Sequence, residues 1–343
     1  MLASSTPNST LYRQTLNRMG WSMLIFIGLF FTIQSLSATF SVMGESITEP
    51  GLKNLLNALL GILSTICYML PFFLTGMIFY AMSGRVRSER PSFEVKLPRE
   101  FPLLILAGMA MLTAGAYVNS WFCTAIHYTM PAELLTTEQY DDITTVVMYM
   151  TVALAPAFAE EFLFRGVFYA NLRPYGRTQA ILISSLLFAL MHQNIGQLFY
   201  TFVGGIAMAL MYELTGSIWC SVFFHMFNNE MSVLSQVIYY GWGGEASVPY
   251  TTILDAILII LGVCSLLLLI VYYKKTGIRT ETRRQAGMLG PHCHAVERFD
   301  RPLSGATVIK GALCPGMIVF TVITVMLMGV TWLAILAMSG GGL

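Results

Sequence analysis

Charged residues are scarce in this chain of 343 residues: they make up 11% of it, whereas hydrophobic residues make up 56%. A soluble globular domain carries about 25% charged residues. The scarcity therefore excludes an ordinary soluble protein and indicates one that crosses a membrane several times. The net charge of +1 also excludes a polybasic surface of the kind that binds nucleic acid.

Paired cysteine spacing is also missing, although the chain has six cysteines. They are scattered along the sequence, so no disulfide framework and no zinc-finger-like site is indicated. His292, Cys293 and His294 are adjacent, but three adjacent residues cannot easily close a metal site with four ligands. We interpret this run as incidental.

Apolar runs, by contrast, are abundant. Nine of them approach or exceed the roughly 20 residues that a helix needs to cross a hydrocarbon layer of about 30 Å. No signal-peptide cleavage site follows the first run, so we expect it to remain as a helix. The predicted fold class is all-α, a polytopic membrane bundle of about nine transmembrane helices. The predicted spans are residues 21–43, 55–82, 101–126, 143–172, 178–194, 196–213, 217–239, 250–273 and 317–338.

Lys and Arg are concentrated in two predicted loops, 85–100 and 274–310, whereas the loop at 127–142 has acidic residues and no Lys or Arg. Loops rich in Lys and Arg lie on the cytoplasmic side of membrane proteins. With Arg13 and Arg18 ahead of the first span, this pattern predicts a cytoplasmic N-terminus. Nine helices then place the C-terminus outside.

We divide the chain into four parts on this basis. Residues 1–20 form a polar N-terminal tail, and residues 21–142 hold the N-terminal transmembrane helices. Residues 143–240 form a core region, because they hold the polar residues that are described next. Residues 241–343 hold the C-terminal transmembrane helices and a cytoplasmic linker at 274–316.

The stretch AEEFLFRG, in the fourth predicted span, carries Glu160, Glu161 and Arg165. An ionisable side chain at the bilayer centre costs about 2.5–3.5 kcal/mol, so three of them need an explanation. Glu161 and Arg165 are four residues apart and share a helix face, while Glu160 points elsewhere. Pairing keeps Glu161 ionised, so Glu160 is the better candidate for a general base. The alternative is an inert buried network that fixes helix packing.

Two histidines and an amide occur in predicted spans at helical spacing. In FALMH, Phe188 lies four residues before His192, and in HMFNN, His225 lies four residues before Asn229. A single histidine in a membrane helix more often makes a hydrogen bond between helices. Two histidines together with a glutamate pair and an amide indicate a catalytic set.

The motifs EEFLFR, FALMH and HMFNN match in order and spacing the EExxxR, FxxxH and HxxxN motifs of the CPBP family. The chain thus resembles the type II CAAX prenyl endopeptidases, bacteriocin-processing enzymes and abortive-infection proteins over about residues 145–240. This family is understood as intramembrane glutamate-dependent endopeptidases, all-helical around a water-filled cavity. By resemblance, Glu161 and Arg165 are the supporting ion pair and Phe188 is a packing residue.

The resemblance also implies roles for four residues. Glu160 corresponds to the general base, and His192 helps it to polarise the attacking water. His225 and Asn229 correspond to the pair that stabilises the oxyanion. These roles agree with the chemistry of the side chains, since a carboxylate with an imidazole can deprotonate water and N–H groups can donate to developing negative charge.

The depth of these residues in the membrane raises one difficulty. In straight helices, Glu160 would lie in the cytoplasmic half of its span, whereas His192 would lie near the outer end of the next. Pro156, just before the glutamates, could kink or shift the helix that carries Glu160.

A zinc-dependent membrane protease is the first alternative, because Glu160, His192 and His225 are residue types that bind zinc. The chain has no HExxH motif, however, and Asn229 is a poor zinc ligand but a good hydrogen-bond donor. The resemblance implies that no cofactor is needed. An activity insensitive to chelators would favour this metal-free interpretation.

A non-catalytic immunity protein or a carrier is the second alternative, because proton relays also place Glu, Arg and His in the membrane. Many carriers contain inverted repeats, and none is visible in the sequence. The arrangement of the four site residues distinguishes the classes. A common cavity favours hydrolysis, whereas a path across the membrane favours transport.

The expected partners are the lipid bilayer and a membrane-associated protein or peptide, with no nucleic acid. A C-terminal motif, a prenylated substrate and a bacteriocin leader are all compatible with the sequence. The compact loops favour a multi-pass protein of a bacterial plasma membrane.

Overall fold

Helices form all the regular secondary structure in the part of the chain that the structure describes. The structure is a computed structural model, and it describes residues 8–44, 49–83, 93, 95, 97–128, 149–241, 244, 248–276 and 303–338. The predicted all-α fold is confirmed within these residues. The α-helices in chain order are α1 Asn8–Gly44, α2 Pro50–Ser83, α3 Phe101–Ala125, α4 Ala155–Glu161, α5 Ala170–Leu172, α6 Arg177–Met191, α7 Leu198–Thr215, α8 Ile218–Gly241, α9 Val248–Thr276, α10 Gly305–Ala312 and α11 Pro315–Met338.

Several predicted features fall outside the described residues. They are the HCH run at 292–294 and most of the loops at 85–100, 127–142 and 274–310.

Six helices in the described ranges are long and apolar enough to cross a membrane. The protein is therefore an integral membrane protein, and these helices correspond to six of the nine predicted spans. The other three spans, 143–172, 178–194 and 217–239, fall on the shorter helices α4 to α6 and on α8, so the total of nine remains a prediction. The six are Ser9–Thr39, Gly51–Ser83, Phe101–Ala125, Ile195–Thr215, Val248–Lys275 and Pro315–Ala337.

Helix α1 begins at Asn8, inside the stretch 1–20 for which a polar tail is predicted. Tyr12, Leu16 and Met19 are fully buried. They are spaced as an apolar stripe on one helix face, and this stripe packs into the core although the residues between them are polar. The membrane span and this packed extension form one continuous helix.

The predicted linker at 274–316 also contains a helix, α10. The Ser304 hydroxyl caps its start by accepting from the Thr307 N–H at 3.3 Å. A Cβ built on Gly311 would lie 2.5 Å from the Tyr12 ring, so α10 packs closely on α1. This end of the linker is therefore folded against the bundle.

The predicted span 143–172 is not one regular helix where the structure describes it. Helix α4 lies between two π-helical segments, Tyr149–Leu154 and Phe162–Tyr169. A π-helical turn is wider than an α-helical turn, so each segment changes the direction of the side chains that follow. Pro156 lies in the first turn of α4, where its missing N–H is tolerated. The position of Glu160 across the membrane that a straight helix predicts therefore does not apply.

Candidate active site

The four residues predicted to carry the chemistry meet at one cavity of about 430 Å³. Glu160 lies on α4, His192 directly follows α6, and His225 and Asn229 lie one turn apart on α8. Residues of α2, α3 and α7 complete the lining. The four residues thus share a cavity, which is the arrangement that favours hydrolysis over transport along a path.

Glu160 is almost completely buried, with 2% of its surface exposed. Its Oε1 accepts a hydrogen bond from the Tyr68 hydroxyl. Its Oε2 lies 3.9 Å from His225 Nε2 and has no hydrogen-bond partner among the residues that the structure describes. The two oxygens therefore differ: Tyr68 donates to one, and the other is buried beside His225 without a hydrogen bond from the described residues.

The predicted ion pair between Glu161 and Arg165 is present and fully buried. Arg165 donates to Glu161 Oε1 at 2.6 Å and to the Gly205 carbonyl oxygen at 2.9 Å. Its guanidinium also lies 4.7 Å from the centre of the Phe188 ring. Such contacts offset part of the hydration that a buried charge loses. The ion pair thus connects its own helical segment to α6, which carries Phe188, and to α7, which carries Gly205.

Gly205 can reach Arg165 because α7 lies directly against α6. A Cβ built on Gly205 would lie 2.8 Å from the Cβ of Ser185 and 2.9 Å from its Cα. A residue with a side chain would force the two helices apart. The glycine therefore allows the backbone of α7 to supply a hydrogen-bond acceptor for the Arg165 guanidinium.

His225 contacts both glutamates. Its Nδ1 lies 3.1 Å from Glu161 Oε1, and its Nε2 faces Glu160. Because an ionised carboxylate can only accept, Nδ1 carries a proton and donates to Glu161. Glu161 thus orients the imidazole as well as pairing with Arg165, a second role that the i, i+4 spacing alone did not indicate.

His192 is half-buried at the cavity wall. Its Nδ1 lies 2.9 Å from the Phe188 carbonyl oxygen. A carbonyl oxygen can only accept, so Nδ1 is the donor and Nε2 of the neutral ring can accept a proton. The Phe188 ring meets the His192 ring edge-on at 4.9 Å and the His225 ring at 5.8 Å. Phe188 therefore packs against both imidazoles.

The turn that follows His192 is attached to α3. Gln193 has a φ of 51°, an uncommon value for a residue with a side chain. Asn119 of α3 donates to the Gly196 carbonyl oxygen at 2.6 Å and accepts from the Tyr200 N–H at 3.2 Å. These bonds hold the turn in place and so determine where His192 lies.

Asn229 belongs to a short hydrogen-bonded chain. The Tyr200 hydroxyl donates to Asn228 Oδ1 at 2.7 Å, and Asn228 Nδ2 donates to Asn229 Oδ1 at 3.3 Å. These bonds connect the Asn229 amide to Tyr200 of α7. An amide group of this kind offers both an NH2 donor and a carbonyl acceptor.

A metal ion would need several donor side chains grouped around one point. In the described ranges, no three side chains of His, Cys, Asp or Glu are grouped so that they could hold one metal ion. Glu160, His192 and His225 line one cavity without forming such a group. The zinc-dependent alternative remains a hypothesis that a chelator can test.

Sequence reasoning missed Tyr68, Tyr200, Asn228 and the Gly205 carbonyl. Tyr68, Tyr200 and the Gly205 carbonyl lie on helices other than that of the site residue each one supports, so no local spacing indicates them. Asn228 is next to Asn229 on α8, but its bond to Tyr200 of α7 is equally hidden from local spacing. A lone tyrosine in an apolar span, such as Tyr68, is unremarkable in the sequence. Only the fold shows that it faces Glu160.

Comparison with known families gives one match. Residues 142–231 match the family model described as type II CAAX prenyl endopeptidase Rce1-like. The matched range contains all three motifs, from Glu160 to Asn229. No curated protein and no solved structure matches the chain.

Proposed function

We propose that this membrane protein, whose residues 142–231 form an Rce1-like type II CAAX prenyl endopeptidase domain, hydrolyses a peptide bond of a membrane-associated protein or peptide. The family implies intramembrane protease activity of the CAAX type. The observation that carries the proposal is the meeting of Glu160, His192, His225 and Asn229 at one cavity. A linear path of the same residues would have favoured a proton-coupled carrier.

Water is activated by Glu160 and His192. Oε2 of Glu160 takes a proton from a water molecule, and Nε2 of His192 accepts a hydrogen bond from the same water. The water oxygen forms a bond to the carbonyl carbon of the scissile peptide. Glu160 then passes its proton to the nitrogen of the leaving amine as the C–N bond breaks, so the products are an acid and an amine.

The oxyanion is stabilised by His225 and Asn229. The Asn229 NH2 group donates to the carbonyl oxygen as it becomes negative, and one such donor contributes about 3–4 kcal/mol in other hydrolases. His225 donates from Nε2 only when both ring nitrogens carry protons, because Nδ1 already donates to Glu161.

The cavity limits the kind of substrate. A volume of about 430 Å³ lies in the range of small-ligand sites and holds a few residues of extended chain, not a folded domain. The substrate therefore presents a flexible or terminal segment at the membrane. A C-terminal motif, a prenylated protein and a bacteriocin leader all meet this requirement.

Orientation and cofactor use belong to the same proposal. From the basic loops we propose a cytoplasmic N-terminus, and from the compact loops a plasma membrane of bacterial type. Water attack needs no metal when Glu160, His192, His225 and Asn229 act as described.

Peptide profiling of membranes tests the proposal and identifies the cleaved peptide in the same experiment. Membranes that contain the wild-type protein should release fragments that are missing with Glu160→Gln. Glu230→Gln is the matched control, because Glu230 lies beside Asn229 in the sequence but does not line the cavity. Identical fragment profiles for wild-type protein and Glu160→Gln would overturn the protease assignment.

A further inference from the structure

Tyr68 reaches the cavity from outside the domain that matches the family. It lies on α2, whereas the matched domain covers residues 142–231. Its side chain lines the cavity, and its hydroxyl donates a hydrogen bond to Oε1 of Glu160. The proposed mechanism assigns Tyr68 no role.

Aromatic packing holds the Tyr68 ring in position. The ring centre lies 5.3 Å from that of Phe72, one turn later on α2, and 5.8 Å from that of Phe30 on α1. Phe26 of α1 meets Phe72 edge-on at 4.8 Å. Offset and edge-on contacts of this kind are favourable and directional. The hydroxyl is therefore presented to Glu160 by α1 and α2 together.

The Tyr68 bond makes the two oxygens of Glu160 unequal. Oε1 accepts from the phenol, while Oε2 is the oxygen that faces His225 Nε2 at 3.9 Å. A carboxylate rotates about its last bond, so without a partner on one oxygen either of them could face His225. The phenol removes this freedom.

We infer that Tyr68 is a positioning residue that holds the Glu160 carboxylate by Oε1 and thereby assigns Oε2 to the water. This inference rests on the proposed peptidase function. It gives the N-terminal helices, which carry none of the three motifs, a part in the reaction.

Several polar groups lie around Glu160. Tyr68 approaches it from α2, His225 from α8 and His192 from the end of α6. Arg165 lies about one turn later in the chain, in the π-helical segment that follows α4. Among these groups, Tyr68 is the one whose hydroxyl donates directly to a Glu160 oxygen. Its removal leaves the charges in place and takes away one hydrogen bond to the ionised carboxylate.

The test is Tyr68→Phe in the full-length protein in liposomes, with a peptide identified by the profiling experiment. The ring and its packing remain, so the protein should fold. We expect kcat to fall about tenfold, the size expected for loss of one hydrogen bond to a charged group. KM should change by less than about twofold, because the phenol acts on Glu160 and not on the peptide.

Tyr117→Phe is the matched control. The Tyr117 hydroxyl also donates to a carboxylate, Asp255, at 3.1 Å, but neither residue lines the cavity. This variant should keep the wild-type kcat and KM. A Tyr68→Phe enzyme with a wild-type kcat, whether its KM is unchanged or raised, would overturn the inference.

The peptidase proposal and this inference fail on different results. If Glu160→Gln cleaves like the wild type, the peptidase proposal fails. If Glu160→Gln is inactive while Tyr68→Phe keeps the wild-type kcat, the peptidase proposal stands and the role of Tyr68 is contradicted.

Discussion

At the scale of single residues, Glu161 connects the charged side chains of the site. The same oxygen, Oε1, contacts Arg165 at 2.6 Å and His225 at 3.1 Å. An oriented imidazole next to Glu160 therefore depends on an ion pair that does not itself line the cavity. This dependence makes Arg165 a test of how the site is held.

Arg165→Ala should be severely destabilised, because removal of one partner of a buried ion pair costs about 3–5 kcal/mol. Arg165→Lys should be affected less, since it keeps the charge but cannot reach both Glu161 and Gly205 or stack on Phe188 in the same way. Thermal unfolding of the purified proteins in detergent measures both effects. Equal melting temperatures for Arg165→Ala and wild-type protein would contradict the structural role of the pair.

The sequence permitted prediction of those residue contacts that follow helical spacing. Glu161 with Arg165, and Phe188 with His192, are four residues apart, so one helix face was enough to place them together. The contact of Glu161 with His225 joins residues 64 positions apart in the chain. Spacing carries no information about such a contact, and only the motif resemblance indicated that these residues belong together.

At the scale of helices, the site depends on close approach of α6 and α7 and on the interruption of the helix that carries Glu160. The π-helical segments around α4 change the directions of the side chains. The apolar composition continues through these segments, so the apolar runs in the sequence do not predict them. The early start of α1 was missed for a related reason. Its buried face is a narrow stripe among polar residues.

Gly205→Ala tests the approach of α6 and α7. The added Cβ would meet the Ser185 backbone, so we expect a loss of about 1–3 kcal/mol in the free energy of unfolding. Gly204→Ala is the matched control, because its Cβ would meet only the ends of flexible side chains, Leu112 at 3.1 Å and Met208 at 3.8 Å. Denaturant unfolding should rank Gly204→Ala above Gly205→Ala in stability. The opposite order would contradict the packing described.

At the scale of the whole molecule, the two ends of the described chain pack together. Gly20 of α1 faces Gly316 of α11, and Asn17 Oδ1 accepts from the Gly316 N–H at 2.8 Å. Helix α1 also carries Phe30, which packs against Tyr68. The helices outside the matched domain therefore form a scaffold that reaches the cavity, and the motifs alone gave no sign of it.

Gly20→Ala should loosen this scaffold. The added Cβ would lie 2.2 Å from the Gly316 carbonyl carbon, so α11 must move, and we expect a lower melting temperature with a loss of about 1–3 kcal/mol. Gly28→Ala on the same helix is the control, since its Cβ would meet nothing within 4 Å. Melting temperatures that are equal for the two variants would contradict the docking of α11 on α1.

The most direct test of the central claim is cleavage of an identified peptide by purified protein in liposomes, measured with and without a chelator. We predict that wild-type protein and Glu230→Gln cleave at similar rates, that chelator has no effect, and that Glu160→Gln is slower by about 10²–10⁴-fold, the contribution of a general base. Cleavage by Glu160→Gln at the wild-type rate would contradict the account. Loss of wild-type activity in chelator with recovery on added zinc would replace it with the metal-dependent mechanism.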